Sequence, residues 1–206
     1  MHVKNCIYKN IIVLEQSSIL IVMFWGKRDT SILFIEPKYK TLFWIYEFYN
    51  TMSSSFYFLT LIPLIKKRNR KGLSCAVAGI GLGSILLHGT GRCYGQWMDE
   101  FSILTFVQLI LEDLDEKHPK YLRYLLLTYF IFWKKFYYFF GILTMYNIRL
   151  FYLMRKEKDF LFISSISTFI WILEQQKFIH LKKYNMHPYW HLGTSIAMYK
   201  LIKTVK

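Results

Sequence analysis

Three histidines, a serine and an aspartate stand out in a chain that is otherwise strongly apolar. His187 and His191, in "HPYWH", are four residues apart, so on a helix both imidazoles can reach one ion. His88, in "GLGSILLHGTGRCYGQWMDE", supplies a third nitrogen from another helix. Three protein ligands with one open position are the pattern of a catalytic zinc, which activates water near neutral pH. The plainer reading of the same residues is interhelical hydrogen bonding without metal. Ser84 lies one turn before His88 on the same face. It reads either as a small packing residue bonded to its own helix or as a hydroxyl that steadies an oxyanion when water attacks a carbonyl. Asp99 is placed to take a proton from that water and pass it to a leaving nitrogen. Glu100 points elsewhere on its helix and reads as a structural partner. His2, His118 and His180 read as solvated loop or end residues.

The elements that must bring these groups together read as an all-α, polytopic membrane protein: a seven-transmembrane helix bundle. Of 206 residues, 54% are hydrophobic and 19% aromatic, more apolar than a soluble domain normally is. Apolar runs fall at about 42–65, 73–90, 97–111, 121–133, 136–154, 160–176 and 187–203. Residues 26–206 read as one membrane domain. Residues 1–25 read as an extra anchor or interfacial helix, because Glu15 and Gln16 interrupt the run and no cleavage site follows. Gly89, Gly91 and Gly95 are expected to make a tight turn between the second and third spans. Pro188 is expected to put His187 at a helix N-cap. The net charge of +14 does not signal nucleic acid, because lysines and arginines gather at the ends of apolar runs. Three cysteines without metal or redox spacing predict no disulfide framework.

Loop charge gives an orientation. "KKRNRKG" holds Lys66, Lys67, Arg68, Arg70 and Lys71, whereas "GTGRCYGQ" holds only Arg92. The first loop therefore reads as cytoplasmic and the second as exterior or lumenal. "RKEK" at 155–158 and the lysines of the tail agree; Lys177, Lys182 and Lys183 run against the trend. Alternation of the spans then brings Ser84, His88, Asp99 and the "NMHPYWH" stretch to one outer level.

Taken in order, "FWGKRDTSILFIEPKY", "YEFYNTMSS", "GLGSILLHGTGRCYGQWMDE" and "HPYWH" resemble the alkaline ceramidases, integral-membrane zinc amidases. The resemblance implies His88, His187 and His191 as zinc ligands and Ser84 and Asp99 as catalytic partners. It implies a seven-helix fold in the endoplasmic reticulum or Golgi, with the site on the lumenal side. Ceramide or phytoceramide is the implied substrate, cut to a sphingoid base and a fatty acid. It also implies a calcium site, but the motif is altered at Leu33 and Lys38. Only Glu36, Glu47 and the backbone carbonyl of Phe34 are left as ligands, whereas calcium takes six to eight oxygens. The Lys38 ammonium is expected to replace the ion in part, bridging Glu36 and Glu47. Late in the chain, "IWILEQQ", with Trp171 and Glu174, resembles a tryptophan-acidic pattern of the same family. Two rival readings remain: a related membrane hydrolase acting on another lipid, and a non-catalytic seven-helix receptor or scaffold that keeps zinc for structure.

Overall fold

The computed structural model describes residues 24–65, 70–115, 121–175 and 185–204, and among these it contains helices and no strand. The histidines read as solvated, the segment before residue 24, most of the first basic loop and Lys177, Lys182 and Lys183 lie outside the described residues. Six long helices follow the apolar runs closely. They are α4 (Lys71–Thr90), α5 (Cys93–Leu114), α6 (Tyr121–Phe132), α7 (Phe136–Leu153), α8 (Lys158–Gln175) and α9 (His187–Thr204).

The first run behaves differently from the continuous span expected over 42–65. It folds as three short helices: α1 (Phe48–Ser53), α2 (Phe56–Leu59) and α3 (Ile62–Ile65). The cause is local hydroxyl chemistry. Ser54 Oγ donates to Asn50 O at 2.7 Å, Ser55 Oγ to Met52 O at 2.6 Å and Thr60 Oγ to Tyr57 O at 2.6 Å. These bonds compete with the regular ladder, which tightens to i→i−3 contacts at Ser55, Phe58 and Thr60. Residues 42–47 are not helical because their backbone is used elsewhere. Tyr46 N and Glu47 N donate to Gly89 O and His88 O, both at 2.8 Å, and so satisfy carbonyls at the end of α4.

The pair α4 and α5 forms the frame of the site. Gly91 and Arg92 make the turn between them, Gly91 with φ +67 and its N–H closing on Leu87 O at 2.8 Å. Gly89 and Gly95, expected in that turn, instead lie inside α4 and α5. Gly95 and Gly83 allow the two backbones to touch. A Cβ on Gly83 would collide with the backbone of Asp99, and one on Gly95 with that of Leu87. Small residues at a helix crossing act this way, letting axes approach more closely than larger side chains permit.

Around this frame α7 and α6 pack on α5, and α9 packs between α8 and the broken first helix. Val77, Ile80, Leu104, Ile110, Leu111, Tyr146, Leu201 and Ile202 fill the core. Two buried tyrosines in it are matched: Tyr146 donates to Leu122 O at 2.7 Å, and Tyr129 to Glu100 at 2.8 Å. Glu100 also accepts from Gln96 at 2.7 Å, the structural role expected of it. At the end of the frame away from the histidines, Arg70 pairs with Asp113 and Arg123 with Glu112.

Candidate active site

His88 near the end of α4 and His187 and His191 in the first turns of α9 converge inside the bundle, each essentially without exposed surface. Their ring centroids lie 4.5–5.2 Å apart, and one potential ligand atom from each falls within 4.8 Å of the others. His187 opens α9 as its first helical residue, not as the N-cap the sequence suggests. Pro188 is tolerated because the N–H it lacks would be unpaired in a first turn anyway. His187 and His191 therefore stay one turn apart on a regular helix.

The outer nitrogens of all three rings are occupied. His88 Nδ1 meets Glu47 Oε2 at 2.6 Å, His187 Nδ1 meets Glu174 Oε2 at 2.7 Å, and His191 Nδ1 meets Ser53 Oγ at 2.8 Å. Carboxylates accept, so Nδ1 carries the proton in His88 and His187. Ser53 spends its own proton on Asn50 O at 3.1 Å, so it too accepts from His191. These assignments leave three Nε2 lone pairs turned inward, with those of His88 and His187 only 3.1 Å apart. Facing lone pairs at that distance repel unless a cation lies between them. Histidine ligands held by carboxylates through the second nitrogen are the usual support of a protein zinc site. The donor set therefore fits zinc.

Ser84 lies beside this centre, 3.4 Å from His191 Nε2 and 2.9 Å from Ser54 Oγ. Ser54 gives its proton to Asn50 O, so Ser84 is the donor between the two hydroxyls. Asp99 is buried on α5, its backbone against Gly83, the residue before Ser84. Its Oδ1 has no hydrogen-bond partner among the described residues. A buried unmatched acceptor costs about 1–3 kcal/mol, which marks it as a group kept for something other than stability.

Aromatic rings wall the centre. Phe34 packs on His88 and His187, with centroids at 4.6 and 4.4 Å, and Trp190 flanks His187 and His191 at 5.0 and 5.2 Å. On the α1 side a cleft of about 380 Å³ opens next to Ser53, between Tyr49, Met52 and Phe56 and the start of α9 at Pro188 and Tyr189.

The residues left for calcium do not fit that ion. Lys38 Nζ donates to Phe34 O at 2.9 Å and forms an ion pair with Glu47. Glu36 is held otherwise than the sequence suggests: its carboxylate accepts from Tyr49 N at 2.7 Å, Asn50 N at 2.8 Å and Asn185 Nδ2 at 3.1 Å. Lys38 thus grips Glu47 and the carbonyl of Phe34 without bridging to Glu36. Burial pushes the Glu36 carboxyl above its usual value, against the pull of the two backbone N–H groups.

Sequence reasoning does not find Ser53 or assign a role to Glu174, and it places Glu47 at calcium rather than beside a histidine. The only local signals are carboxylates isolated in apolar surroundings, in "YEFYN" and "IWILEQ".

Fold and site together define an all-helical protein with a buried centre of three histidines. The Ceramidase family model matches residues 26–185, and the chain belongs to that family. The match ends two residues before His187, so the last two histidines of the centre stand on the geometry given above. No curated protein matches the chain.

Proposed function

We propose that the protein is a zinc-dependent amidase that hydrolyses ceramide to a sphingoid base and a fatty acid, with His88, His187 and His191 holding the metal. The observation that carries this reading is the set of three inward Nε2 atoms, each fixed by a separate partner on its Nδ1. Zinc supplies Lewis-acid polarisation of a carbonyl and activation of water near neutral pH.

The chain's own residues do the rest. Asp99, buried and with one free oxygen, accepts the proton released as water attacks, and returns it to the departing nitrogen. Ser84 turns its O–H from Ser54 towards the oxygen on which negative charge develops, a contact that exists only in the transition state. Phe34 and Trp190 keep bulk water away from the imidazoles. The open cleft beside Ser53 gives an apolar chain a path to the same place. A purely structural zinc needs neither the orphaned Asp99 oxygen nor a hydroxyl beside it, which weighs against the scaffold reading.

We place this site in a seven-span protein of the endoplasmic reticulum or Golgi, facing the lumen. Among the described residues one helix, Lys71–Thr90, is long and apolar enough to cross a membrane by length and composition. The wider support is the apolar surface of the later helices, where Ile131, Tyr137, Ile148 and Phe162 are each more than two thirds exposed. The experiment that tests the activity is hydrolysis by purified protein of a panel of ceramides and phytoceramides, with and without a zinc chelator. Hydrolysis that chelation abolishes and zinc restores is the expected outcome. Full activity in the metal-stripped protein would refute the zinc mechanism, and inertness towards every ceramide would refute the substrate.

A further inference from the structure

We propose that Lys38 is a positioning residue for the histidine centre: a built-in cation that fixes Glu47 beneath His88 and seats Phe34, making the site independent of calcium. Three observations converge on it. First, the Lys38 ammonium bonds the carbonyl of Phe34 at 2.9 Å and pairs with Glu47 Oε1. Second, the other oxygen of that carboxylate is the one that receives His88 Nδ1 at 2.6 Å, together with Asn50 Nδ2 at 3.1 Å. Third, the ring of the same Phe34 packs on both His88 and His187.

One positive charge therefore controls two contacts of the centre. Glu47 is 1% exposed, and a lone carboxylate there would be costly to keep ionised. With Lys38 beside it the pair is neutral overall, and Glu47 remains an acceptor for His88 Nδ1. That bond sets the ring's tautomer and leaves Nε2 free to ligate. Lys38 itself keeps about a quarter of its surface exposed and packs its ammonium 5.0 Å from the Tyr46 ring, so its own desolvation is partial.

The same contacts explain why calcium has no place here. A calcium ion needs six to eight oxygens, and the oxygens nearest this position are already engaged. Both oxygens of Glu47 are occupied as described, the Phe34 carbonyl is taken by Lys38, and Glu36 is held by two backbone N–H groups and Asn185. A monovalent ammonium attached to the chain takes the position a dissociable divalent ion would need, so no second metal is required to order the loop.

The test uses the full-length purified protein. Calcium titrated into wild type, followed by isothermal calorimetry and by the melting temperature, is expected to show no stoichiometric binding and no stabilisation. Binding of one calcium per chain at micromolar concentration would overturn the proposal. Lys38→Gln is expected to weaken zinc affinity by about tenfold, read by chelator competition, and to alter the visible spectrum of the cobalt-substituted protein. A merely structural role would lower the melting temperature without moving the cobalt spectrum. Lys38→Arg, which keeps the charge, should stay within about threefold of wild type in zinc affinity. Wild-type affinity in Lys38→Gln, or equal losses in both variants, would contradict the role assigned to the charge. If Lys38→Gln does not fold, the calcium titration and Lys38→Arg still decide. The proposal uses the zinc reading for its metal readouts alone. A wild-type protein that binds neither zinc nor cobalt would defeat that reading, while the calcium titration would still judge Lys38.

Discussion

His88 shows how completely one side chain is specified here. Its Nδ1 is tied to Glu47, its Nε2 faces that of His187, and Phe34 covers its ring. Replacing it with alanine removes a ligand and leaves Glu47 buried without its imidazole partner. His88→Ala is therefore expected to lose both zinc and hydrolysis, measured by metal analysis and a fluorescent ceramide assay. Glu174 supports His187 from a different helix, and Glu174→Gln keeps the shape while weakening the acceptor. Zinc affinity is expected to fall about 10–100-fold, with retained helicity by circular dichroism separating this from unfolding. Among the described residues Asp99 hydrogen-bonds to no ring nitrogen, so Asp99→Asn should separate binding from chemistry. Zinc content is expected to stay at the wild-type level while turnover falls at least about 100-fold. An unchanged turnover number would remove Asp99 from the mechanism.

Among the elements, the crossing of α4 and α5 does most to set the site, because it lays the Asp99 backbone against Gly83, the residue before Ser84. Gly83→Ala forces a methyl into the backbone of α5, and overpacking of that kind costs about 1–3 kcal/mol. Its thermal unfolding should drop by several degrees. Gly141, in the middle of α7 with open space around its Cα, is the control: Gly141→Ala should raise stability by about 0.5–1 kcal/mol. Equal melting temperatures for the two variants would mean that the close approach is not limiting. The six long helices were legible because each is a long apolar run bounded by polar residues. The first was misread as continuous because hydropathy is blind to Ser54, Ser55 and Thr60 bonding back to the chain. The gathering of the three histidines with Ser84 was legible from spacing and resemblance. Their supports were not, since Glu47, Glu174 and Ser53 are paired with them only by the fold. Ser53 and His191 are 138 residues apart in the chain, and no local pattern links them.

For the molecule as a whole, the decisive feature is a set of exposed apolar side chains on the described helices outside a buried, metal-competent histidine centre. Ile131 and Tyr137 lie near the junction of α6 and α7, and Ile148 and Phe162 extend the apolar surface along α7 and α8. We read these side chains as the lipid-facing side of the spans proposed above. The protein is accordingly expected to stay with the membrane pellet after an alkaline carbonate wash; recovery in the supernatant would contradict the seven-span reading. On the proposed function, the substrate would reach the buried centre sideways from the bilayer. The most direct measurement of the central claim is zinc content set against ceramide hydrolysis in one preparation, for wild type and for His187→Ala. About one zinc per wild-type chain is expected, with loss of metal and hydrolysis together in the variant. Hydrolysis that persists at the wild-type rate in zinc-free His187→Ala would contradict it.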